Sequence, residues 1–368
     1  MRVALIHDYL NQSGGAEKVL KAFIEIFPNA PIYTLICDSA ILKRIGLADT
    51  GIYTSFLQKI PFAKSKHRIF PFLMPIAIEQ FDLSRYDVVL SDSAGFAKGV
   101  ITKPKTLHIC YCHTPPRYAW DDSHKYIKEF RLPGIIKTII PFFMNYIRLW
   151  DKEAALRVDK FICNSHFVAQ RIKKYYNRKA KVIYPPVDTK TFRPLISEKR
   201  GEGFLMVGRL LQYKRFDIAI QAFNKLAKPL KIIGNGPEKK RLKKMAGKNI
   251  EFLGEFHGKK LNYYYQNCQA LIFPQEEDFG IVVLEAMACG KPVIAYRGGG
   301  ALESIKEGKT GMFFDSQTPE ALIEAVRKFK PKDFNSKEIR KHALKFDKEK
   351  FKKKIKNFVE KAYYDYRN

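Results

Sequence analysis

The stretch from Phe273 to Tyr296, FPQEEDFGIVVLEAMACGKPVIAY, constrains this chain more than any other. Ala270 to Phe273 is a short apolar run that reads as a buried strand, closed by Pro274. Glu276, Glu277 and Asp278 form an acidic loop, Gly280 supplies a flexible joint, and a helix is predicted from about Ile281. Gly290 and Pro292 stop that helix, and Val293 to Tyr296 starts the next strand. A strand–loop–helix–strand unit of this kind builds a parallel sheet, and such sheets take their ligands at the carboxyl ends of the strands.

Two carboxylates stand out in it. Glu277 lies in the loop and Glu285 roughly one turn into the helix. Between them the N–H groups of Phe279, Gly280, Ile281 and Val282 point out of the helix N-terminus, where an anion can sit. Carboxylates accept hydrogen bonds from hydroxyls, and the amides would hold a phosphate. Ribose, diphosphate and sugar together meet both needs, so the unit suits a nucleotide sugar. Taken singly, Glu285 complements the helix dipole and Glu277 is a solvated loop charge.

The spacing of Glu277 and Glu285, with Phe279-Gly280 after the first and Ala286-Met287-Ala288 before Gly290, resembles the signature of family 4 retaining glycosyltransferases. The resemblance spans nearly the whole chain. It implies an α/β protein of GT-B architecture: two Rossmann-like domains facing across a cleft, with a C-terminal helix packing back on the N-terminal domain. The implied domains are 1–193, joined by 347–368, for the acceptor, and 194–346 for the nucleotide sugar. Closure of the cleft on donor binding is expected, because the donor-binding and acceptor halves lie on different domains.

Length and composition agree with two domains. A chain of 368 residues is long for one Rossmann-type unit. Cys110 and Cys112 are too close, and lack a second pair, for a zinc site, so the six cysteines read as buried thiols of a reducing compartment. Met1 runs almost directly into a strand, so no signal peptide is expected. No uncharged run reaches the roughly 20 residues of a membrane span. The formal net charge of +29 calls for an anionic partner. Nucleic acid is the weakest choice, because no recognised binding motif is present. Anionic lipid and phosphorylated substrate remain, beside a plain lysine-rich composition.

Along the chain, Val3 to His7 is a first strand, and Gly14-Gly15 opens the helix after it. Paired glycines let backbone approach a ligand, but this is not the GxGxxG fingerprint, so a dinucleotide site is not supported. Residues 56–81 mix aromatics with Lys64, Lys66, His67 and Arg68, and residues 126–150 mix Ile, Phe and Met with Lys128, Arg131, Lys137 and Arg148. Both suit elements lying at an anionic membrane interface, and core-facing helices are the plainer alternative. Pro133 and Pro141 are expected to break up the second. Leu107 to Cys112 is a strand ending at His113, and a histidine there stands at the ligand end of the sheet. Residues 196–203 lack apolar periodicity and place a boundary near Pro194. After the strand Gly203 to Val207 come Arg209, a planar fork, and Lys214, a mobile point charge, where a leaving diphosphate could be met. Asp347 onward recurs apolar at helical spacing.

The resemblance assigns roles to these positions. Arg209 and Lys214 hold the diphosphate, Glu277 the sugar hydroxyls, Glu285 the ribose and His113 the far side of the sugar. Gly14 and Gly15 face the donor, Gly234 lies beside the nucleotide, and the amides of Phe279 to Val282 meet phosphate or sugar. HTPPRYAWD, from His113, is most similar to bacterial O-antigen-type mannosyltransferases. That implies GDP-mannose as donor, with UDP- or dTDP-sugars as alternatives, and a lipid-linked saccharide as acceptor at the cytoplasmic face of the membrane. No carboxylate pair evidently flanks an anomeric carbon, so a front-face displacement without a metal or other cofactor is expected. Two rivals stand beside it: a sugar-nucleotide epimerase of similar fold, and a non-catalytic basic binding protein.

Overall fold

The computed structural model describes residues 1–48, 50–66, 70–121, 134–195 and 201–368. The expected interface residues His67, Arg68, Lys128, Arg131 and Pro133, and most of the expected linker at 196–200, lie outside them, as do the side chains of Lys66 and Lys137. The chain divides into two compact units, Met1–Tyr184 with Lys352–Asn368, and Pro185–Phe351.

The first unit holds a seven-stranded parallel sheet. Its strands are β1 (Val3–His7), β2 (Ile32–Thr34), β3 (Ile52–Thr54), β4 (Val88–Ser93), β5 (Leu107–Cys112), β6 (Lys160–Cys163) and β7 (Ala180–Val182). Their order is β3-β2-β1-β4-β5-β6-β7. β1, β4 and β5 are buried along their whole length, which is why they read as continuous apolar runs ending in polar residues. The order reverses beside β1, which pairs with β2 on one side and β4 on the other. A crevice at the carboxyl ends follows from that reversal, and it is the ligand position of open parallel sheets.

The second unit repeats the plan with six parallel strands in the order β10-β9-β8-β11-β12-β13. These are β8 (Phe204–Val207), β9 (Leu230–Ile233), β10 (Ile250–Gly254), β11 (Ala270–Phe273), β12 (Val293–Tyr296) and β13 (Gly311–Phe314). Here the reversal falls between β8 and β11. Both units are therefore α/β and Rossmann-like.

The segment after Tyr184 groups with the second unit, nine residues before the expected boundary near Pro194. Hydrogen bonds explain this. The Arg340 guanidinium donates to the carbonyls of Thr189 and Phe192, and Gln266 donates to that of Arg193. A sequence without periodicity is here bound by side chains from elsewhere. At the other end, the helix Lys348–Arg367 carries its residues from Lys352 into the first unit. There Lys352 pairs with Glu25 at 3.1 Å and Tyr366 donates to the Pro104 carbonyl.

One expectation is corrected. Pro141 does not break its segment but sits inside a continuous helix, Gly134–Leu156. Its inner stripe, Met144, Ile147, Asp151 and Ala154, is buried. Tertiary packing of that stripe holds the helix together across the lost backbone bond. The outer stripe is apolar too: Phe142 is 75% exposed and Leu149 60%, with Phe143 and Tyr146 also exposed. Phe143 packs on Phe72, with ring centroids 4.1 Å apart, beside the short helix Leu73–Glu79 that exposes Ile76. Among the described residues no helix is long and apolar enough to cross a membrane.

Candidate active site

In the second unit the predicted residues converge on the reversal between β8 and β11. Arg209 follows β8 and is exposed. Lys214 ends a short 3-10 turn, Gln212–Lys214, and Arg215 then takes a left-handed backbone, φ 52°, before the helix Phe216–Leu226. That turn brings the Lys214 ammonium against the Glu277 carboxylate, which also accepts from Gln275 Nε2 at 3.0 Å. The loops after β8 and β11 thus present a paired cation and anion, both mostly shielded from solvent.

Backbone approach shapes the rest. Gly280 caps the helix Ile281–Ala288 at φ 84°, and a β-carbon on it would sit 2.7 Å from the Phe273 ring. Only glycine serves there. Gly234 follows β9, where a β-carbon would fall 1.8 Å from the Gly208 carbonyl oxygen. The turns after β8, β9 and β10 are stitched by Gly208 N–H to Ile233 and Gly234 N–H to Gly254. From the β12 side, Gly300 N–H donates to the Glu277 carbonyl at 2.8 Å. Phe279 is buried, whereas Ile281 and Val282 are partly exposed at the first turn of the helix.

Glu285 is 1% exposed, and Tyr265 donates its hydroxyl to it at 3.0 Å. Burial, and then the charge of Glu285, pushes the Tyr265 phenol well above its ordinary pKa, so it stays a donor. Glu285 therefore stands behind the loop, one layer deeper than Glu277.

In the first unit Gly14, Gly15 and His113 also gather at the carboxyl ends of strands. Gly14 precedes the helix Gly15–Ile26 and donates its N–H to Glu17 Oε2 at 2.6 Å. His113 follows β5, and its Nε2 lies 2.5 Å from Asp92 Oδ1. Asp92 is a β4 residue whose register partner on β1 is His7. His7 Nδ1 lies 2.8 Å from Asp92 Oδ2, and His7 Nε2 lies 3.8 Å from Glu17 Oε1. Burial works against a charge on His7, but its hydrogen bond to Asp92 and the nearby Glu17 carboxylate prevail and push its pKa up to about 10. Burial likewise opposes ionisation of Asp92 and Glu17, and their histidine partners hold both below the usual carboxylate range.

The HTPPRYAWD segment is anchored rather than open. Arg171 binds the Thr114 hydroxyl, the Pro115 carbonyl and the Asp121 carboxylate. Trp120 donates to Asp151 at 2.8 Å, as does Tyr176 at 2.7 Å. Asp151 also pairs with Lys98, and both are about 1% exposed. Asn164 donates to the His113 carbonyl at 2.9 Å, while Ser165 caps the helix His166–Tyr176 by accepting from Val168 N–H.

The profile of the Glycosyltransferase Family 4 domain matches residues 14–191, and that of glycosyl transferases group 1 matches residues 188–353. The chain belongs to this glycosyltransferase family.

Other comparisons agree. An uncharacterised glycosyltransferase of Methanocaldococcus jannaschii is 32% identical over 53% of this chain and 55% of its own. The alpha-1,3/1,6-mannosyltransferase ALG2 of Homo sapiens is 26% identical over 66% of this chain and 64% of its own. A GDP-mannose-dependent phosphatidylinositol monomannoside mannosyltransferase of Mycolicibacterium smegmatis is 31% identical over 39% and 44%. The chain thus spans 44% to 64% of the length of these curated relatives. In fold, it superposes on a sucrose-phosphate synthase of Thermosynechococcus elongatus at a TM-score of 0.77, with 16% identity and 98% and 100% of the two chains covered. For Anabaena HepE in complex with UDP the TM-score is 0.72, with 17% identity over the same shares. These share the GT-B fold with this glycosyltransferase.

Sequence reasoning missed Asp92, His7, Glu17, Gln275 and Tyr265. The first two carried a signal: Ser91-Asp92-Ser93 and His7-Asp8 are polar residues closing otherwise apolar strands. Asp8 has a structural task, because its carboxylate accepts from the N–H groups of Ala94, Phe96 and Ala97.

Proposed function

We propose that the chain is a retaining hexosyltransferase that moves a sugar, mannose from GDP-mannose in the first instance, to a lipid-linked saccharide. The observation that carries this reading is the Lys214–Glu277 pair at the β8–β11 reversal, with Arg209 on the same β8 loop as Lys214. Departure of a nucleoside diphosphate builds negative charge on its phosphates. Arg209 and Lys214 would stabilise that charge, Lys214 turning from Glu277 to the phosphate as the ligand arrives. Glu277, released, would accept hydrogen bonds from sugar hydroxyls. Glu285, held by the Tyr265 hydroxyl, would meet the ribose, and the N–H groups at Gly280 to Val282 the phosphate or sugar. Gly14, Gly15 and Gly234 would give a ligand close access to backbone. His113 would act on the transferred sugar. The leaving phosphate oxygen takes the acceptor proton in a front-face step, so no metal is required.

The mannosyl choice rests on two relatives whose names specify mannose transfer, and UDP- or dTDP-sugars are the second donors to try. For a membrane-bound acceptor we infer that the apolar outer stripe Phe142, Phe143, Tyr146 and Leu149 meets the lipid surface, with the net charge of +29 favouring anionic headgroups. The test is donor turnover in excess chelator, with a membrane extract as acceptor source. GDP release from GDP-mannose, or UDP release from UDP-glucose, with retained anomeric configuration in the product, supports the reading. An isomerised donor without acceptor would favour an epimerase, and no turnover of any nucleotide sugar would contradict transfer.

A further inference from the structure

We propose that Asp92 is a positioning residue for His113, and that His7 and Glu17 hold Asp92 in turn. The inference rests on the reading of His113 as a functional residue and adds what fixes its ring. Four side chains form one chain of contacts. Glu17 faces His7 at 3.8 Å, His7 meets Asp92 at 2.8 Å, and Asp92 meets His113 at 2.5 Å. They come from three neighbouring strands and the helix Gly15–Ile26, all at the carboxyl edge of the sheet.

Burial dictates the hydrogen positions. Asp92 is 1% exposed, and its two oxygens face two different imidazoles. A buried ionised carboxylate only accepts, so His7 Nδ1 and His113 Nε2 must both donate. His113 is thereby fixed with hydrogen on Nε2, and Nδ1 is the ring nitrogen left to accept a hydrogen bond from a sugar hydroxyl. The Tyr111 ring, 5.2 Å from the His113 ring and edge-on to it, limits its tilt. Charge explains why the chain of contacts is so long. Asp92 alone would be a buried, uncompensated anion. His7, doubly protonated, neutralises it, and Glu17 in turn neutralises His7, leaving Glu17 Oε1 with no hydrogen-bond partner. Two carboxylates against one imidazolium leave an excess negative charge beside the one solvent-touched member, His113, 13% exposed. Glu17 also holds the Gly14 N–H, so the network ties the glycine turn to the histidine.

Nitrogen-15 spectra of histidine-labelled protein, with His7→Gln and His113→Ala to assign two of the eight histidines, test the hydrogen positions directly. The expected wild-type result at neutral pH is His7 protonated on both nitrogens and His113 carrying hydrogen on Nε2. Asp92→Asn should change the His113 tautomer signature and lower kcat for nucleotide release from GDP-mannose (UDP-glucose if that is the donor) about 10- to 100-fold, with KM little changed. A neutral His7 with His113 protonated on Nδ1 alone overturns the inference even if no Asp92 variant folds. A folded Asp92→Asn with unchanged tautomer and turnover overturns it too, provided His113→Ala is inactive. His113→Ala at wild-type turnover instead sinks the reading of His113 beneath it.

Discussion

Two of the lysine–carboxylate pairs, Lys98–Asp151 and Lys214–Glu277, sit in contrasting surroundings. Lys98 and Asp151, in the first unit, are about 1% exposed. Asp151 also accepts from Trp120 and Tyr176, and Lys98 donates to the Gly95 carbonyl at 2.6 Å. Lys214 and Glu277, in the second unit, keep 13% and 16% of their side-chain surface. The first pair is saturated with partners and packed among core residues. The second sits on a loop at the ligand end of a sheet, and a phosphate could take its cation. The same two chemical groups thus serve architecture in one place and exchange in the other, and what differs is burial and the number of competing partners.

Variants can break that contrast. The largest effect on rate is expected from Arg209→Ala: kcat for nucleotide release should fall about 100- to 1,000-fold, as when one preorganised charge-stabilising group is removed. Steady-state kinetics on a variant of wild-type melting temperature would check it, and unchanged turnover would remove Arg209 from the mechanism. Lys214→Met should likewise suppress turnover while costing less stability than the change at Lys98, because Glu277 keeps contact with solvent and the Gln275 donor. Lys98→Met should do the reverse, destabilising by about 3–5 kcal/mol in denaturant unfolding because Asp151 is left as an uncompensated buried anion. Equal stability losses for the two lysines would erase the distinction drawn above.

Next come two buried histidines that titrate in opposite senses. His7, pushed up to about 10, contributes stability that is fully present below its ordinary 6.5 and is lost as pH rises from there through 10. His108, pushed down to about 3 by burial and then by Arg157, contributes stability above 6.5 that is lost as pH falls toward 3. Melting temperatures across pH should therefore fall on both sides. His7→Gln should flatten the alkaline limb and His108→Asn the acidic one. The smallest effect is expected on the outer stripe of the helix Gly134–Leu156. Phe142→Ser with Leu149→Ser should weaken co-sedimentation with phosphatidylglycerol vesicles several-fold, with no loss of stability, because both side chains are exposed.

How much of this the sequence disclosed depended on burial. Strands buried on both faces read plainly as apolar runs, so β5, β11 and β12 fall at their predicted residues. β3 escaped notice, since three half-exposed edge residues leave no run to detect. The helix Ile281–Ala288 was legible from its glycine stops, and the site loop from its acidic cluster. The helix through Pro141 was not, because what stabilises it is a stripe packed against other elements rather than any local preference. Glu277 and Lys214 could be named individually, but their pairing across 63 residues arises only when β8 and β11 become neighbours. Asp92 lay hidden inside a strand for the same reason: its meaning comes from His7, 85 residues away.

The central claim is that Arg209, Lys214, Glu277 and Glu285 together grip a nucleotide sugar. Thermal shift of wild type and Arg209→Ala across GDP-mannose, UDP-glucose, UDP-N-acetylglucosamine and a dTDP-sugar tests it most directly. The account predicts that at least one of them raises the wild-type melting temperature and that the rise is lost in the variant. An equal rise in both proteins, or none with any nucleotide sugar, would contradict it.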